Sequence, residues 1–173
     1  MPAAVKESSF RDEMTRAMAM LAANDKTIFL GQAVRFPGTA MSSTFSGVPD
    51  DRKIEMPVAE EMQMGMTIGL AMAGYIPISV YPRWSFLILA ANQIVNHLDV
   101  YASKVIIRVG VPTPVPLDPG PQHLGDFSAA LAMMTKKIEF LHIDLMGEAM
   151  DTYRYALDTK WPVIVSEDSS LYA

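Results

Sequence analysis

Cysteine is absent from the 173-residue sequence, which excludes disulfides, thiolate metal ligands and cysteine nucleophiles. Charge is sparse as well: 19% of the residues are charged, and the formal net charge is −5. This mild acidic excess, without a basic cluster, argues against a nucleic-acid partner. No uncharged run is long enough to span a bilayer, and the first residues lack the apolar stretch of a signal peptide. We therefore expect a soluble, cytoplasmic protein with no membrane association.

The chain does contain enough apolar material for one sizeable core. Half of its residues are hydrophobic, and its length is that of an ordinary domain. Because no linker or internal repeat interrupts it, residues 1–173 are predicted to form a single domain. The 14 methionines are expected to fill gaps in the core, with an adaptable partner interface as the alternative.

Segments with helical periodicity alternate with short β-branched runs along the chain. The pattern predicts helices over 8–23, 59–73, 85–99, 126–135 and 147–158, and strands over 27–30, 53–56, 76–81, 105–109, 138–143 and 162–166. Residues 35–52 and 111–122 are rich in loop-forming residues, and the first of these segments has room for one helical turn. The alternation predicts an α/β fold: a three-layer structure with a mainly parallel sheet of about six strands and helices on both faces.

Loops after the predicted strands are the expected place for a ligand, because open parallel sheets bind ligands beyond the carboxyl ends of their strands. Three of these ends lead into Gln32, Arg83 and the proline-rich loop before His123. The dispersed glycines form neither GxGxxG after a strand nor GxxxxGKS/T, so dinucleotide and P-loop sites are not expected. Gly65 and Gly69 form a GxxxG pair, which predicts close packing of their helix against another element.

Residues 54–74, IEMPVAEEMQMGMTIGLAMAG, resemble the signature of the pyrimidine-binding domain shared by transketolases and 2-oxo-acid dehydrogenase beta subunits. A Pro-x-x-Glu motif at Pro57 and Glu60 is followed by a glycine-punctuated helix, Gly74 and an apolar strand. Further matching segments, in the family's order, are an aromatic at Phe86, the run NQIVN at 92–96, the strand ending in Ile107 and Arg108, the run GPQH at 120–123, and VIVSEDSSLYA at 163–173. The resemblance thus extends over nearly the whole chain.

The resemblance implies that the chain binds thiamine diphosphate. In this family a glutamate hydrogen-bonds a ring nitrogen of the aminopyrimidine and favours the imino tautomer, which takes the thiazolium proton. Glu60 matches that glutamate, whereas its neighbour Glu61 falls where the family is not restricted to an acid. Phe86 matches an aromatic that stacks on the pyrimidine, and His123 matches a histidine that faces the reacting end of the cofactor and its substrate.

Pattern alone also allows plainer roles for these residues. Glu60 and Glu61 are acids in the first turn of a helix, where they complement the helix dipole. Phe86 has the spacing of a core residue, and His123 could be a solvated loop residue. His97 and His142 match no family position, and the histidine spacing offers no metal-binding pair.

Two positions depart from the family's pattern. Many beta subunits carry a glutamate directly after the glycine of the first strand, where this chain has Gln32. We expect Gln32 to contact the cofactor, but its neutral amide cannot carry a proton. Before the stacking aromatic, beta subunits often carry Phe-x-Asp, and this chain has Arg83, Trp84 and Ser85 instead. Arg83 could bind a phosphate or carboxylate of the substrate, or it could be a surface or interface residue.

The family's diphosphate-binding domain holds Mg²⁺ through a Gly-Asp-Gly motif and a later asparagine. Gly125–Asp126–Phe127 is not that motif, so no metal site is expected in this chain, and neither is the family's C-terminal domain. The resemblance then implies a split enzyme in which a separate diphosphate-binding subunit holds the Mg²⁺. We expect a heterotetramer of the two subunits, with a homodimer possible for the isolated chain.

The activity implied by the resemblance is transfer of a ketol group, as in transketolases, by an enzyme that is inactive without its partner. The stretch GPQHLGDF resembles the sugar-handling members of the family. Two alternatives stay open at this point. One is a beta-type component of a 2-oxo-acid dehydrogenase or decarboxylase, and the other is a non-catalytic regulatory or scaffolding domain.

Overall fold

The computed structural model describes residues 9–115 and 118–173, which are built around one six-stranded sheet. Its strands are β1 (Thr27–Gly31), β2 (Lys53–Glu55), β3 (Ile76–Tyr81), β4 (Ile106–Val111), β5 (Glu139–Ile143) and β6 (Val163–Asp168). They lie in the order β2-β1-β3-β4-β6-β5, and every neighbouring pair is parallel. The predicted mainly parallel sheet of about six strands is confirmed.

Helices cover both faces of the sheet and complete the three predicted layers. One face carries α1 (Phe10–Ala22) and α4 (Ala149–Asp158), and the other carries α2 (Glu60–Met72), a broken helix over 84–101, and α3 (Ser128–Met134). Short 3-10 turns occupy Ala40–Phe45, Asp50–Arg52, Pro121–His123 and Ser169–Tyr172. None of the helices in the described residues is long and apolar enough to cross a membrane.

The central strands are buried on both faces, as a covered parallel sheet requires. Along β4, Ile106 packs in the cluster under α1 and α4, whereas Ile107 packs in the cluster under α2 and the broken helix. Val163 and Ile164 of β6 divide between the two clusters in the same way. Because successive strand residues point to opposite faces, the apolar residues of β4 and β6 supply both layers of the core.

The segment 84–101 is helical throughout, but it is not the continuous α-helix predicted over 85–99. Its first turn, Trp84–Leu87, is α-helical, a 3-10 turn follows, and Ile94–Leu98 is a π-helix. The change of pitch keeps one side of the segment buried: Trp84, Leu87, Ala90, Ile94 and Leu98 are all fully buried.

Helix α2 ends at Met72, one residue before the predicted end at residue 73, and Gly74 follows its last turn with a φ of 94°. The prediction from its GxxxG pair is wrong within the described residues. A Cβ added at Gly65 or Gly69 would meet no other atom within 4 Å, so no element of the described chain packs closely there. The buried side of α2 carries larger residues, including Met64 and Ile68, which fill the space above the sheet.

Glycine is required where β1 and β4 approach β3 at the carboxyl edge of the sheet. A Cβ on Gly31 would lie 2.4 Å from the carbonyl oxygen of Val80, and Gly31 has a φ of 154°. A Cβ on Gly110 would likewise lie 2.4 Å from the carbonyl oxygen of Pro82. These two contacts draw together the loops that follow β1, β3 and β4.

Lys104, just before β4, gives the fold a pH-dependent contribution to stability. Its ammonium group donates hydrogen bonds to the carbonyl oxygens of Ala156 and Thr159 at the end of α4. Burial lowers the pKa of Lys104 from 10.5 to about 8, although Glu139 and Asp158 partly oppose this shift. Between pH 8 and pH 10.5 the unfolded chain therefore holds more protons than the folded chain, so the stability contributed by this group rises with pH.

We expect the free energy of unfolding to depend less on pH in Lys104→Met than in the wild type. Urea unfolding measured from pH 7 to about pH 9, below the pKa of about 10 of unfolded tyrosines, should show a smaller increase in the free energy of unfolding for the variant than for the wild type. Parallel curves for the two proteins would contradict the assignment to Lys104.

Candidate active site

A cavity of about 630 Å³ opens at the carboxyl edge of the sheet. The loops that follow β1, β3 and β4 form its walls, together with the turn after β6 and the start of α1. Gln32, Arg83 and Phe86 line it, as do Arg11 and Tyr172. This is the place where ligands bind in open parallel sheets, and its volume is within the range of small-molecule sites.

Glu60 is the first residue of α2 and is 6% exposed. The side-chain amide of Gln32 donates a hydrogen bond to Oε1 of Glu60 at 3.3 Å. The hydroxyl group of Tyr81 donates to the backbone carbonyl of Glu60 at 3.4 Å. Oε2 of Glu60 makes no hydrogen bond to any described residue. The carboxylate therefore keeps Oε2 free to accept a hydrogen bond, while Oε1 is held by Gln32, which lines the cavity.

Buried hydrogen bonds fix the position of α2, and hence of Glu60. The amide of Gln63 donates to the hydroxyl group of Ser79 at 3.1 Å and to the carbonyl oxygen of Val80 at 3.0 Å. The hydroxyl group of Thr67 donates to Ser79 at 2.9 Å. These contacts tie the first two turns of the helix to β3. Glu61, in contrast, is exposed.

Glu60 is the least satisfied of the four buried carboxylates in the described residues. Glu13 accepts two backbone N–H groups at the start of α4, at 2.8 and 2.7 Å. Asp99 accepts two backbone N–H groups that follow α3, at 2.8 and 2.7 Å. Glu167 forms a two-point ion pair with Arg108. Buried polar groups are normally satisfied, and Glu60 is the one of these four carboxylates with the most capacity left to bind a ligand.

The loop that carries Gln32 is held by a carboxylate from β2. Oε1 of Glu55 accepts the backbone N–H of Ala33 at 2.6 Å, and Oε2 accepts that of Arg35 at 2.8 Å. Ala33 has a φ of 56°, a left-handed conformation that a residue with a side chain rarely adopts. The two hydrogen bonds stabilise this turn and so direct Gln32 towards Glu60.

Arg83, Phe86 and His123 form a second group on the other side of the cavity. The rings of Phe86 and His123 have centroids 5.4 Å apart and are tilted by 44°. The guanidinium group of Arg83 lies 6.0 Å from the centre of the Phe86 ring. Ser85 Oγ lies 2.9 Å from Nδ1 of His123. This group combines a half-buried aromatic face, a cation and an imidazole.

A buried ion pair lies behind the cavity wall. Arg108 of β4 donates from Nε and Nη2 to the two carboxylate oxygens of Glu167, at 3.0 and 2.9 Å, and both side chains are fully buried. Arg108 also donates to the hydroxyl groups of Thr44 and Tyr172, each at 2.8 Å. Burial alone would lower the pKa of Arg108, but the Glu167 carboxylate outweighs it, and the net pKa is raised. The pair thus joins β4 and β6 to the 3-10 turns that carry Thr44 and Tyr172.

All five predicted site residues lie at this edge of the sheet. Gln32, Arg83 and Phe86 line the cavity, Glu60 contacts Gln32, and His123 contacts Phe86. Their roles stay predictions. Sequence reasoning missed Ser85 as a partner of His123, and it missed the Arg108–Glu167 pair and Tyr172. Ser85 was visible in the sequence only as a departure from the Phe-x-Asp pattern.

The structure places the remaining candidates away from this group. His97 is exposed on the broken helix, and His142 on β5 makes a hydrogen bond through Nδ1 to Ser166 Oγ at 2.8 Å. In residues 9–115 and 118–173, no three side chains of the types His, Cys, Asp and Glu are grouped so that they could hold a metal ion.

Solved structures share this fold, among them two transketolases. A split-gene transketolase, an inactive beta4 tetramer, gives a TM-score of 0.75 at 21% identity, with 92% of this chain and 51% of that chain covered. Transketolase from Campylobacter jejuni gives a TM-score of 0.73 at 15% identity, with 93% and 26% covered. At these identities the matches establish the fold alone.

Curated relatives match the sequence more closely. The beta subunit of 3-methyl-2-oxobutanoate dehydrogenase from Mycobacterium tuberculosis is 25% identical over 161 residues, which cover 88% of this chain and 46% of the relative. Pyruvate dehydrogenase E1 component subunit beta from Cyanidium caldarium is 31% identical over 128 residues, which cover 71% and 39%. The chain spans less than half the length of these relatives.

The family match covers nearly the whole chain. The family described as the transketolase pyrimidine-binding domain matches residues 6–173, a range that includes the whole sheet and every residue of the candidate site. The chain therefore belongs to the pyrimidine-binding domain family of thiamine-diphosphate enzymes, which relates it to both transketolases and 2-oxo-acid dehydrogenase beta subunits.

Proposed function

We propose that this chain is the pyrimidine-binding subunit of a split, transketolase-like thiamine-diphosphate enzyme. Glu60 activates the cofactor at an interface with a separate diphosphate-binding subunit. The observation that carries the proposal is the incomplete hydrogen bonding of buried Glu60, which leaves Oε2 free. The three other buried carboxylates of the described chain have structural partners, so a ligand contact accounts for Glu60 best.

The residues present fit the pyrimidine half of the cofactor. Oε2 of Glu60 can accept a hydrogen bond from a protonated ring nitrogen, and Phe86 offers an aromatic face at the cavity. Gln32 holds the other oxygen of Glu60. Gln63 and Thr67 tie α2 to β3, so the carboxylate is positioned before the ligand arrives.

Thiamine diphosphate supplies a thiazolium carbon that becomes nucleophilic once its proton is removed. The task of Glu60 would be to share a proton with the pyrimidine ring nitrogen, which would favour the imino tautomer and its basic exocyclic nitrogen. Gln32 orients the carboxylate by donating to Oε1, but an amide cannot exchange the proton. Glu60 is only 6% exposed, and hydrogen bonds in buried surroundings are stronger than exposed ones.

The charge of the cavity supports an anionic substrate. Arg11 and Arg83 line it, and no described acidic residue does. Arginine binds phosphate and carboxylate groups through two parallel hydrogen bonds. Two cations in a cavity of about 630 Å³ suit a phosphorylated sugar, which is long enough to reach past the cofactor. His123, beside Phe86, is placed to hydrogen-bond a carbonyl or hydroxyl group of that substrate.

A second candidate is attack on a 2-oxo acid. The curated relatives named as dehydrogenase beta subunits favour it, and a carboxylate would also bind to arginine. Assays of the assembled enzyme separate the two: turnover of a ketose phosphate with an aldose phosphate acceptor supports ketol transfer. Turnover of a 2-oxo acid supports the second candidate, and no turnover with either class supports a regulatory or scaffolding role.

We expect the chain alone to bind thiamine diphosphate weakly or not at all. The described residues offer contacts to the pyrimidine but hold no group of metal ligands for Mg²⁺ and the diphosphate, and the charged half of the cofactor needs such ligands. Titration calorimetry with thiamine diphosphate and Mg²⁺ tests this, first on the chain and then on its complex with a diphosphate-binding subunit. Tight, Mg²⁺-dependent binding by the chain alone would refute the split site.

A further inference from the structure

The side chain of His123 makes one hydrogen bond within the described residues, and its partner is Ser85. Ser85 lies in the first turn of the broken helix, and His123 ends the 3-10 turn Pro121–His123. The hydroxyl oxygen is 2.9 Å from Nδ1. The Phe86 ring, one residue after Ser85, contacts the imidazole at a centroid distance of 5.4 Å. One polar contact and one aromatic contact therefore fix the imidazole ring.

The direction of this hydrogen bond follows from the groups that must be satisfied. A neutral imidazole carries one N–H and one bare acceptor nitrogen. If the hydroxyl group of Ser85 donates to Nδ1, its hydrogen is satisfied, and the N–H of His123 is at Nε2. In the reverse arrangement, the hydrogen of this half-buried hydroxyl has no acceptor in the described residues, so only the first arrangement satisfies it within the chain.

Serine at this position differs from the aspartate that related beta subunits often carry. A carboxylate only accepts hydrogen bonds when ionised, so an aspartate would accept Nδ1–H and leave Nε2 bare. Ser85 can donate, and it thereby selects the opposite tautomer.

We propose that Ser85 is a positioning residue that fixes His123 as the Nε2–H tautomer. His123 then presents a hydrogen-bond donor, rather than a proton acceptor, to a carbonyl or hydroxyl oxygen of the substrate. The role of Nε2–H in turnover rests on the proposed function, whereas the tautomer itself is a property of the chain alone.

Nitrogen NMR of the full chain with ¹⁵N-labelled histidine tests the tautomer at about pH 8, where imidazole is ordinarily neutral. The chain has three histidines, so the spectrum is simple to assign. We expect Nε2–H for His123 in the wild type, a mixture of tautomers in Ser85→Ala, and the wild-type state in Ser85→Thr, which keeps the hydroxyl group. Ser85→Asp should give Nδ1–H.

His142 is the internal control, because its Nδ1 also pairs with a serine hydroxyl, that of Ser166, at 2.8 Å. Its signals should not change in the Ser85 variants, and Ser166→Ala should alter His142 alone. A wild-type His123 with Nδ1–H, or a Ser85→Ala spectrum that matches the wild type at His123, would overturn the proposal.

Turnover of the complex with the diphosphate-binding subunit tests the consequence. Ser85→Ala should lower kcat by about threefold to tenfold, the effect of one hydrogen bond, while cofactor affinity is unchanged and Ser85→Thr restores kcat. In a His123→Ala background, Ser85→Ala should have no further effect. An additional loss in that background would overturn the positioning role.

The two proposals fail separately. If the tautomer follows Ser85 but no complex turns over any substrate with thiamine diphosphate, the proposed function fails, and the role of Nε2–H in turnover fails with it. If the complex is active and the tautomer does not depend on Ser85, this inference alone is wrong.

Discussion

Glu60→Gln is expected to slow proton–deuterium exchange at the thiazolium carbon of the cofactor by about a hundredfold to ten-thousandfold, the usual scale of general acid–base catalysis. Glutamine preserves the shape of the side chain and can still contact the pyrimidine, but it cannot exchange the proton that would favour the imino tautomer of the pyrimidine. Exchange should be measured by NMR in the complex with the diphosphate-binding subunit, with turnover measured alongside. Both rates should fall together if proton removal limits the reaction.

Glu61→Gln is the matched control, because it removes the same charge one residue further along the same helix. Glu61 is exposed, so its replacement should leave exchange and turnover close to the wild type. Both acids lie in the first turn of α2, so a helix-dipole role predicts similar, small effects for the two variants. Wild-type exchange in Glu60→Gln would remove Glu60 from the catalytic machinery.

The second large effect is expected on stability. Glu167→Ala should reduce the free energy of unfolding by about 3–5 kcal/mol, because it leaves the guanidinium group of Arg108 buried without a counter-charge. Both side chains are fully buried, so water cannot replace the lost carboxylate. Urea unfolding at a fixed protein concentration gives the measurement.

Removing both charges is the control for this prediction. In the double variant Arg108→Met, Glu167→Met no buried charge is left unpaired, so we expect it to be more stable than Glu167→Ala. A change below about 1 kcal/mol in Glu167→Ala, the scale of an exposed ion pair, would show that the pair is not shielded from water in solution.

Periodicity predicted the elements because the forces that form them are local. The apolar run over β4, for example, is explained by burial on both faces and needs no knowledge of its neighbours. Pattern did not predict the changes of pitch in the broken helix, since these depend on which residues meet the sheet. It also wrongly predicted close packing at Gly65 and Gly69, because the described chain brings no other element to that side of α2.

The candidate site was predictable only where a family motif marked it. Burial by itself does not distinguish Glu60 from Glu13, since both are buried acids in helices. The difference is that the partners of Glu13 lie more than 130 residues away in the chain, and sequence patterns do not show such pairings. Ser85 and His123 are 38 residues apart, and their contact could be found only once the fold was known.

The strand order has a consequence for how the chain folds during synthesis. β6 lies between β4 and β5, and β5 pairs only with β6 in the described sheet. A nascent chain that has emerged as far as β5 can therefore form only the four-stranded part β2-β1-β3-β4, with β4 as an exposed apolar edge. Such edges are prone to pair with other chains. We expect ribosome-bound chains to depend on chaperones until β6 emerges, and to become protease-resistant only then.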